Sequence, residues 1–178
     1  MGAVAVLVAL VLLIPASVST VAGMFNPNVG IEETEFLGFI FHRHLTAEDE
    51  SAKHSYTAVQ SITDYLDNMH LADGQVVVDN FSTCIPNAIT MAPNPKIFVI
   101  PNDRDFQRTL ADPLTFHARY ILDVDPSGAG VLTAPNISYP NLWTTGGGFA
   151  TDAHTFPAAG QCEAFKLFKV TGHPNLAG

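Results

Sequence analysis

The sequence predicts an α/β fold: one N-terminal transmembrane helix followed by a small three-layer domain with a mainly parallel sheet and an antiparallel edge hairpin. Two observations lead to this prediction. The first is that residues 1–31 contain no charged side chain. The second is that short, nearly continuous apolar runs at 75–79, 96–100 and 119–124 are separated by helical or turn-forming stretches, a pattern typical of parallel strands that are buried on both faces.

The N-terminal segment is interpreted as a membrane-spanning helix over residues 1–24. Residues 4–14 are all aliphatic, and small or apolar residues continue to Met24, which gives a length close to the ~20 residues that cross a bilayer core. One alternative is a buried soluble helix, which is usually shorter and rarely free of charge for so long. The other is a secretory signal peptide cleaved at the small residues 17–19 or 21–23. Against it, no Lys or Arg precedes the apolar run, whereas signal peptides begin with a positively charged region. The same lack of basic residues means that charge does not orient the helix.

Three further segments follow. Residues 25–45 contain turn-forming Asn-Pro and Gly and then a Phe-rich stretch, so they are predicted to be an exit loop and an interface segment. Residues 46–172 are predicted to form the extracytoplasmic domain, and residues 173–178 a C-terminal tail. The domain opens with a helix: Thr46 is a suitable N-cap, acidic residues follow it, and apolar residues then recur at spacings of three and four up to Met69.

The last two apolar runs predict the antiparallel hairpin. They lie around 149–156 and 164–170, and they flank residues 157–160, whose Pro and Gly favour a turn. A short helix is predicted over 104–110, between the second and third parallel strands, with Asp103 as its N-cap.

Three aspartates are candidate ligand-binding residues. Asp79, Asp103 and Asp123 fall at or just beyond the carboxyl ends of the predicted strands, as Asp105 and Asp125 also do, and ligands of open α/β sheets bind at that edge. Carboxylates clustered there would hold sugar hydroxyl groups or, through their oxygens, a divalent cation. The alternative interpretation assigns each aspartate to a turn, a helix cap or a solvated strand end.

Composition and motifs argue against several other functions. A net charge of −9, with only 8 Lys and Arg among 178 residues, argues against a nucleic-acid partner, which requires clustered basic residues. No metal site or cofactor is predicted: His42 and His44 flank Arg43, whose positive charge opposes a metal ion. No catalytic residue is predicted either, since Ser82 lies outside any Gly-x-Ser-x-Gly sequence.

Cys84 and Cys162 are the only cysteines in the chain. Outside the cytoplasm they would be able to form a disulfide between the loop after the first strand and the terminal hairpin. Two unpaired core cysteines are the other interpretation, and the sequence leaves both open.

The middle of the chain resembles the extracytoplasmic C-terminal domain of actinobacterial polytopic membrane proteins. Those proteins are related to the lipid-phosphosugar-dependent glycosyltransferases of the protein mannosyltransferase and aminoarabinose transferase type. The resemblance rests on six stretches, in order Asp73-Gly-Gln-Val-Val-Val-Asp79, Pro95-Lys-Ile-Phe-Val-Ile100, Asp103-Arg-Asp-Phe106, Leu110-Ala-Asp-Pro113, Arg119-Tyr-Ile-Leu-Asp123 and Tyr139-Pro-Asn-Leu-Trp143. In that family a last membrane helix leads into such a domain, which implies a single-pass protein of the cell membrane with its domain on the extracytoplasmic side.

The resemblance implies no catalytic residue for this chain. In that family the catalytic carboxylate lies in an early extracytoplasmic loop and many membrane helices hold the lipid-linked donor, and the sequence contains neither part. The expected function is therefore a non-catalytic domain that positions an acceptor or partner, with the bilayer and the remaining helices of a polytopic transferase as partners. An independent anchored module that binds cell-envelope carbohydrate is the alternative. A third hypothesis is an enzyme that uses the aspartate cluster.

Overall fold

The computed structural model describes residues 20, 47–82 and 84–174. The predicted membrane helix and the predicted interface segment therefore fall almost entirely outside the described residues. No helix within the described ranges combines the length and the hydropathy needed to cross a membrane. Internal contacts divide the chain after Glu50, and all five strands lie in the unit that begins at Ser51.

Five helices and five strands make up the described chain. The helices are α1 Ala47–Asn68, α2 Ile85–Met91, α3 Phe106–Ala111, α4 Ala134–Ser138 and α5 Leu142–Thr145. The strands are β1 Val76–Val78, β2 Phe98–Val99, β3 Tyr120–Val124, β4 Ala150–Phe156 and β5 Phe165–Val170. Short 3-10 turns cover Pro95–Ile97, Gly128–Leu132 and Gly146–Gly148.

The strands form one mixed sheet in the order β2-β1-β3-β5-β4. Strands β1, β2 and β3 are parallel, β5 runs antiparallel to β3, and β4 runs antiparallel to β5 at the edge. The predicted α/β class with an antiparallel edge is therefore confirmed. The last strand in the chain, β5, lies inside the sheet between β3 and β4.

Helices cover both faces of the sheet, which makes three layers. On one face α1 and α2 bury Ile62, Leu66 and Ile85 against side chains of β1, β3 and β5. On the other face α3 and α5 bury Phe106 and Leu142 in a second cluster with the alternate residues of the same strands. Because β1 and β3 present apolar residues to both layers, their sequences read as continuous apolar runs rather than as alternating ones.

The short helices depart most from the sequence prediction. Helix α3 begins at Phe106, and Asp103 is not its cap: Asp105 occupies the N-cap position without a side-chain hydrogen bond. Helices α2 and α4 each have Pro in their first turn. Proline is tolerated there because that position needs no intrahelical N–H donor. In a sequence, however, a proline usually indicates a loop, so neither helix was predicted.

Candidate functional site

The three candidate aspartates occupy two different places in the fold. Asp79 and Asp123 follow the paired residues Val78 and Leu122 by one position each, so they lie side by side at the carboxyl ends of neighbouring parallel strands. Asp103 lies beyond β2, where it lines an open groove that includes neither of the other two. The expected cluster of three carboxylates is therefore a pair and a separate residue.

The Asp79 carboxylate joins two segments that are far apart in sequence. Its Oδ1 accepts a hydrogen bond from the backbone N–H of Phe81 at 2.9 Å. Its Oδ2 accepts one from the backbone N–H of Ala134 at 2.6 Å. Hydrogen bonds to an ionised carboxylate are stronger than neutral ones, so Asp79 holds the start of α4 against the loop that follows β1.

Asp123 is almost completely buried, with 1% of its surface exposed. Its Oδ1 accepts a hydrogen bond from the backbone N–H of Val124 at 2.9 Å and lies 3.5 Å from the Thr133 hydroxyl. Its Oδ2 has no hydrogen-bond partner. The pKa of Asp123 is raised to about 7: burial is the largest cause and the negative charge of Asp79 adds to the rise, while the hydrogen bonds from Val124 and Thr133 oppose it.

No cation of the described chain compensates the Asp123 carboxylate. Lys166 is its partner in the register between β3 and β5. The Lys166 ammonium instead donates to the carbonyl of Trp143 at 3.1 Å and lies 3.8 Å from the Asp152 carboxylate. The buried carboxyl therefore has an unpaired oxygen and no counter-ion, which is the physical reason that its neutral form is favoured.

Thr133 and Asn136 complete a buried polar network above this strand end. The Asn136 amide nitrogen donates to the carbonyls of Val124 and Gly130 at 2.8 and 2.9 Å and lies 3.0 Å from the Thr133 hydroxyl oxygen. These bonds hold the segment 125–138 against the end of strand β3. Neither residue was predicted from the sequence, because an isolated Thr and an isolated Asn near Pro135 give no periodic signal.

The crevice where this topology usually binds ligands is closed. Helices α2 and α3 lie on opposite faces, so the switch point of the strand order falls between β1 and β3, beside Asp79 and Asp123. The space between these aspartates and Thr133 does not admit a water molecule. The described residues also contain no group of three or more His, Cys, Asp or Glu that would hold a metal ion. Asp79 and Asp123 therefore act here as internal hydrogen-bonding groups.

Asp103 belongs to an open groove of about 520 Å³ beside the edge strand β2. Its Oδ2 accepts from the backbone N–H of Ile100 at 2.8 Å, which leaves Oδ1 for a ligand. The groove mixes acidic, basic, hydroxyl and aromatic side chains, namely Lys96, Asp103, Arg104, Asp105, Thr109 and Phe116. Basic and aromatic groove residues were not predicted, because they are scattered over 21 positions of the sequence (96 to 116) and are brought together only by the fold.

A disulfide joins Cys84 and Cys162, 78 residues apart. It connects the start of α2 to the turn of the β4–β5 hairpin. Next to it, the Ser82 hydroxyl donates to the Glu163 carboxylate at 3.0 Å. The structure therefore shows the disulfide rather than two unpaired core cysteines.

Among family models, curated proteins and solved structures, no match to this chain was found.

Proposed function

We propose that this chain is a non-catalytic, membrane-anchored extracytoplasmic domain of a glycosyltransferase-like membrane protein, and that it positions an acceptor or a protein partner. The observation that carries the proposal is the Cys84–Cys162 disulfide. Structural disulfides persist in oxidising compartments, whereas cytosolic thiols are kept reduced. The charge-free residues 1–24 supply the single-pass anchor.

The burial and the hydrogen bonds of Asp79 and Asp123 favour a domain that positions a partner rather than one that catalyses a reaction. A general acid or base must come within hydrogen-bond reach of the reacting group of a substrate. Asp123 is buried under residues 125–138, and both oxygens of Asp79 already accept backbone N–H groups. The transferase context comes from the resemblance described above, which makes the membrane helices of a polytopic transferase the proposed partners.

The anchor and the compartment are tested together on the full chain in cells. We expect the chain to sediment with membranes and to stay there during carbonate extraction. After acid quenching of thiol exchange, Cys84 and Cys162 should react with maleimide only when they have first been reduced. Release by carbonate, or maleimide reaction without reduction, would contradict the proposal.

Activity is the second arm of this test. Purified full-length chain is offered polyprenyl-phosphate sugars and cell-envelope acceptors, and we expect no transfer. Turnover by the wild type that is lost on Asp79→Asn, Asp103→Asn and Asp123→Asn together would instead establish an enzyme. Folding of the triple variant is checked by its thermal unfolding, so that loss of turnover is not confused with loss of structure.

The alternative function is an independent anchored module that binds cell-envelope carbohydrate, and the groove beside β2 favours it. Its volume is within the range of small-molecule sites, about 300–1,000 Å³. Carboxylates, cationic side chains and a hydroxyl offer acceptors and donors for sugar hydroxyl groups. Phe116, which is 37% exposed, offers an apolar ring for a sugar face.

Carbohydrate binding is tested by titrating neutral hexose and pentose oligosaccharides into the full chain and measuring heat. If the groove binds them, Phe116→Ala and Asp103→Asn should each weaken binding by about tenfold, the effect of losing roughly one good contact. Asp103→Asn keeps an oxygen that accepts from Ile100, so the turn is preserved. Tyr56→Ala, which removes an exposed ring outside the groove, is the control and should change nothing. Equal affinities for all four proteins would exclude the groove.

A further inference from the structure

Most of the exposed large hydrophobic side chains lie in two segments of the described chain. Six such side chains are exposed among the described residues, and four of them follow the carboxyl ends of β1 and β3. These four, which we call the apolar rim, are Phe81, Val131, Leu132 and Ile137, with exposed fractions of 57%, 53%, 58% and 63%. Isolated exposed hydrophobic residues are normal on protein surfaces, whereas a contiguous group marks an interaction site.

Asp79 brings the two segments of the apolar rim together. One oxygen of its carboxylate accepts from the N–H of Phe81 and the other from the N–H of Ala134. Both oxygens are bonded to one carbon, so the two backbones lie only a few ångströms apart. Leu132 is two residues before Ala134, and Ile137 lies one helical turn after it in α4. These two hydrogen bonds therefore hold the two rim segments next to each other at this end of the sheet.

The charge around the rim restricts what it can bind. No Lys or Arg occurs in residues 54–95 or 120–165, which contain all four rim residues. Asp79 and Asp123 use their carboxylates internally. Lys166, which lies opposite Asp123 across β3 and β5, is engaged by the Trp143 carbonyl and the Asp152 carboxylate. The two rim segments therefore supply none of the basic residues that anionic headgroups, phosphates or acidic proteins require. An apolar, uncharged environment is therefore the one that best matches the apolar rim.

We propose that the apolar rim inserts into the interfacial region of the lipid bilayer and forms a second attachment of the domain to the membrane. This inference rests on the proposed function, in which the charge-free N-terminal sequence holds the chain in the membrane. Tethering of that kind raises the local concentration of bilayer around the domain, so a small apolar surface suffices for contact. Because the attachment uses no basic residue, it is insensitive to salt and does not need anionic lipid.

Depth-dependent fluorescence quenching on the full chain tests the inference. The background variant is Trp143→Phe, which removes the only Trp, and the protein is reconstituted into phosphatidylcholine liposomes with brominated acyl chains. Leu132→Trp in this background places a reporter in the rim. Tyr56→Trp is the matched control, since residue 56 is equally exposed, at 57%, and lies on α1 away from the rim. We expect the emission of the reporter at position 132 to shift to shorter wavelength. Its quenching should be roughly twofold greater than that of the reporter at position 56, at low and at high salt alike.

Three outcomes would overturn the inference. Equal quenching at positions 132 and 56 in carbonate-resistant protein would reject rim insertion while leaving the anchor intact. A blue shift at 132 without bromolipid quenching, together with cross-linking of two chains, would identify a second copy as the occupant. Carbonate release of the protein from the liposomes would reject the proposed function and the inference together. As a second measure, Phe81→Ser and Ile137→Ser should each reduce the quenching at 132, and unchanged quenching in both would also count against insertion.

Discussion

Removing the Cys84–Cys162 disulfide is expected to lower the free energy of unfolding by about 4 kcal/mol. The cross-link closes a loop of 78 residues, and in the chain-entropy model the loss of freedom in the unfolded chain grows with the logarithm of loop length. For a domain of this size that corresponds to a fall in melting temperature of roughly 10 °C. The loss should be measured by thermal unfolding with and without a phosphine reductant.

Two comparisons separate the cross-link from the packing of its atoms. Reduced wild type keeps both sulfur atoms in the core, so its melting temperature reports the loss of the bond alone. The double variant Cys84→Ala and Cys162→Ala should melt close to the reduced wild type and should not respond to the reductant. If reduction left the melting temperature of the wild type within a degree or two, the disulfide would not be a stabilising bond.

Asp123→Asn is expected to stabilise the domain above neutral pH, although it replaces a buried hydrogen-bonded residue. The pKa of Asp123 is raised from 3.8 to about 7, chiefly by burial. The folded state therefore binds more protons than the unfolded chain between those values, and stability falls as pH rises from about 4 to about 7. The full effect, reached above pH 7, is about 4 kcal/mol. An amide resembles the neutral carboxyl in shape and carries no charge, so the variant avoids this loss.

Chemical denaturation at pH 5 and pH 8 measures the effect. At pH 5 both proteins contain a neutral side chain at position 123 and should be similar in stability. At pH 8 the variant should be the more stable by up to a few kcal/mol. Asp125→Asn is the control, because Asp125 is only partly buried and accepts the Ser127 N–H in a turn; it should show no such gain. A variant that was less stable than wild type by the same amount at both pH values would show that Asp123 ionises freely in the fold.

The sequence predicted the sheet well because the strands obey a simple rule. Val76, Val77 and Val78 are all completely or almost completely buried, since one face packs on α1 and α2 and the other on α3, and continuous apolar runs are the signature of that arrangement. The position of β5 inside the sheet was not predicted. A signal was present: β5 carries Phe165, Leu167 and Phe168, whereas the middle of β4 is polar and exposed.

The site was harder to predict than the sheet. Asp79 and Asp123 are neighbours because parallel strands end at the same edge, and that part follows from the order of the strands. The closing of the edge depends on hydrogen bonds such as that from Ala134 to Asp79, 55 residues apart. Residues 125–138 close the edge with turns and a Pro-containing helix, and neither shows a periodic pattern of apolar residues. The sequence therefore shows where a crevice would be but not that the chain fills it.

The interior position of β5 has a consequence for how the protein is made. A ribosome releases the chain N-terminus first, so β5 is the last strand to emerge. Until it does, β3 has one unpaired edge and β4 has no partner at all, since β5 alone bridges them. Exposed strand edges of this kind favour aggregation, and pairing over long sequence distances is slow. The sheet is thus completed only after synthesis has passed Val170. Until then the unpaired strand edges of the nascent chain are exposed to other chains.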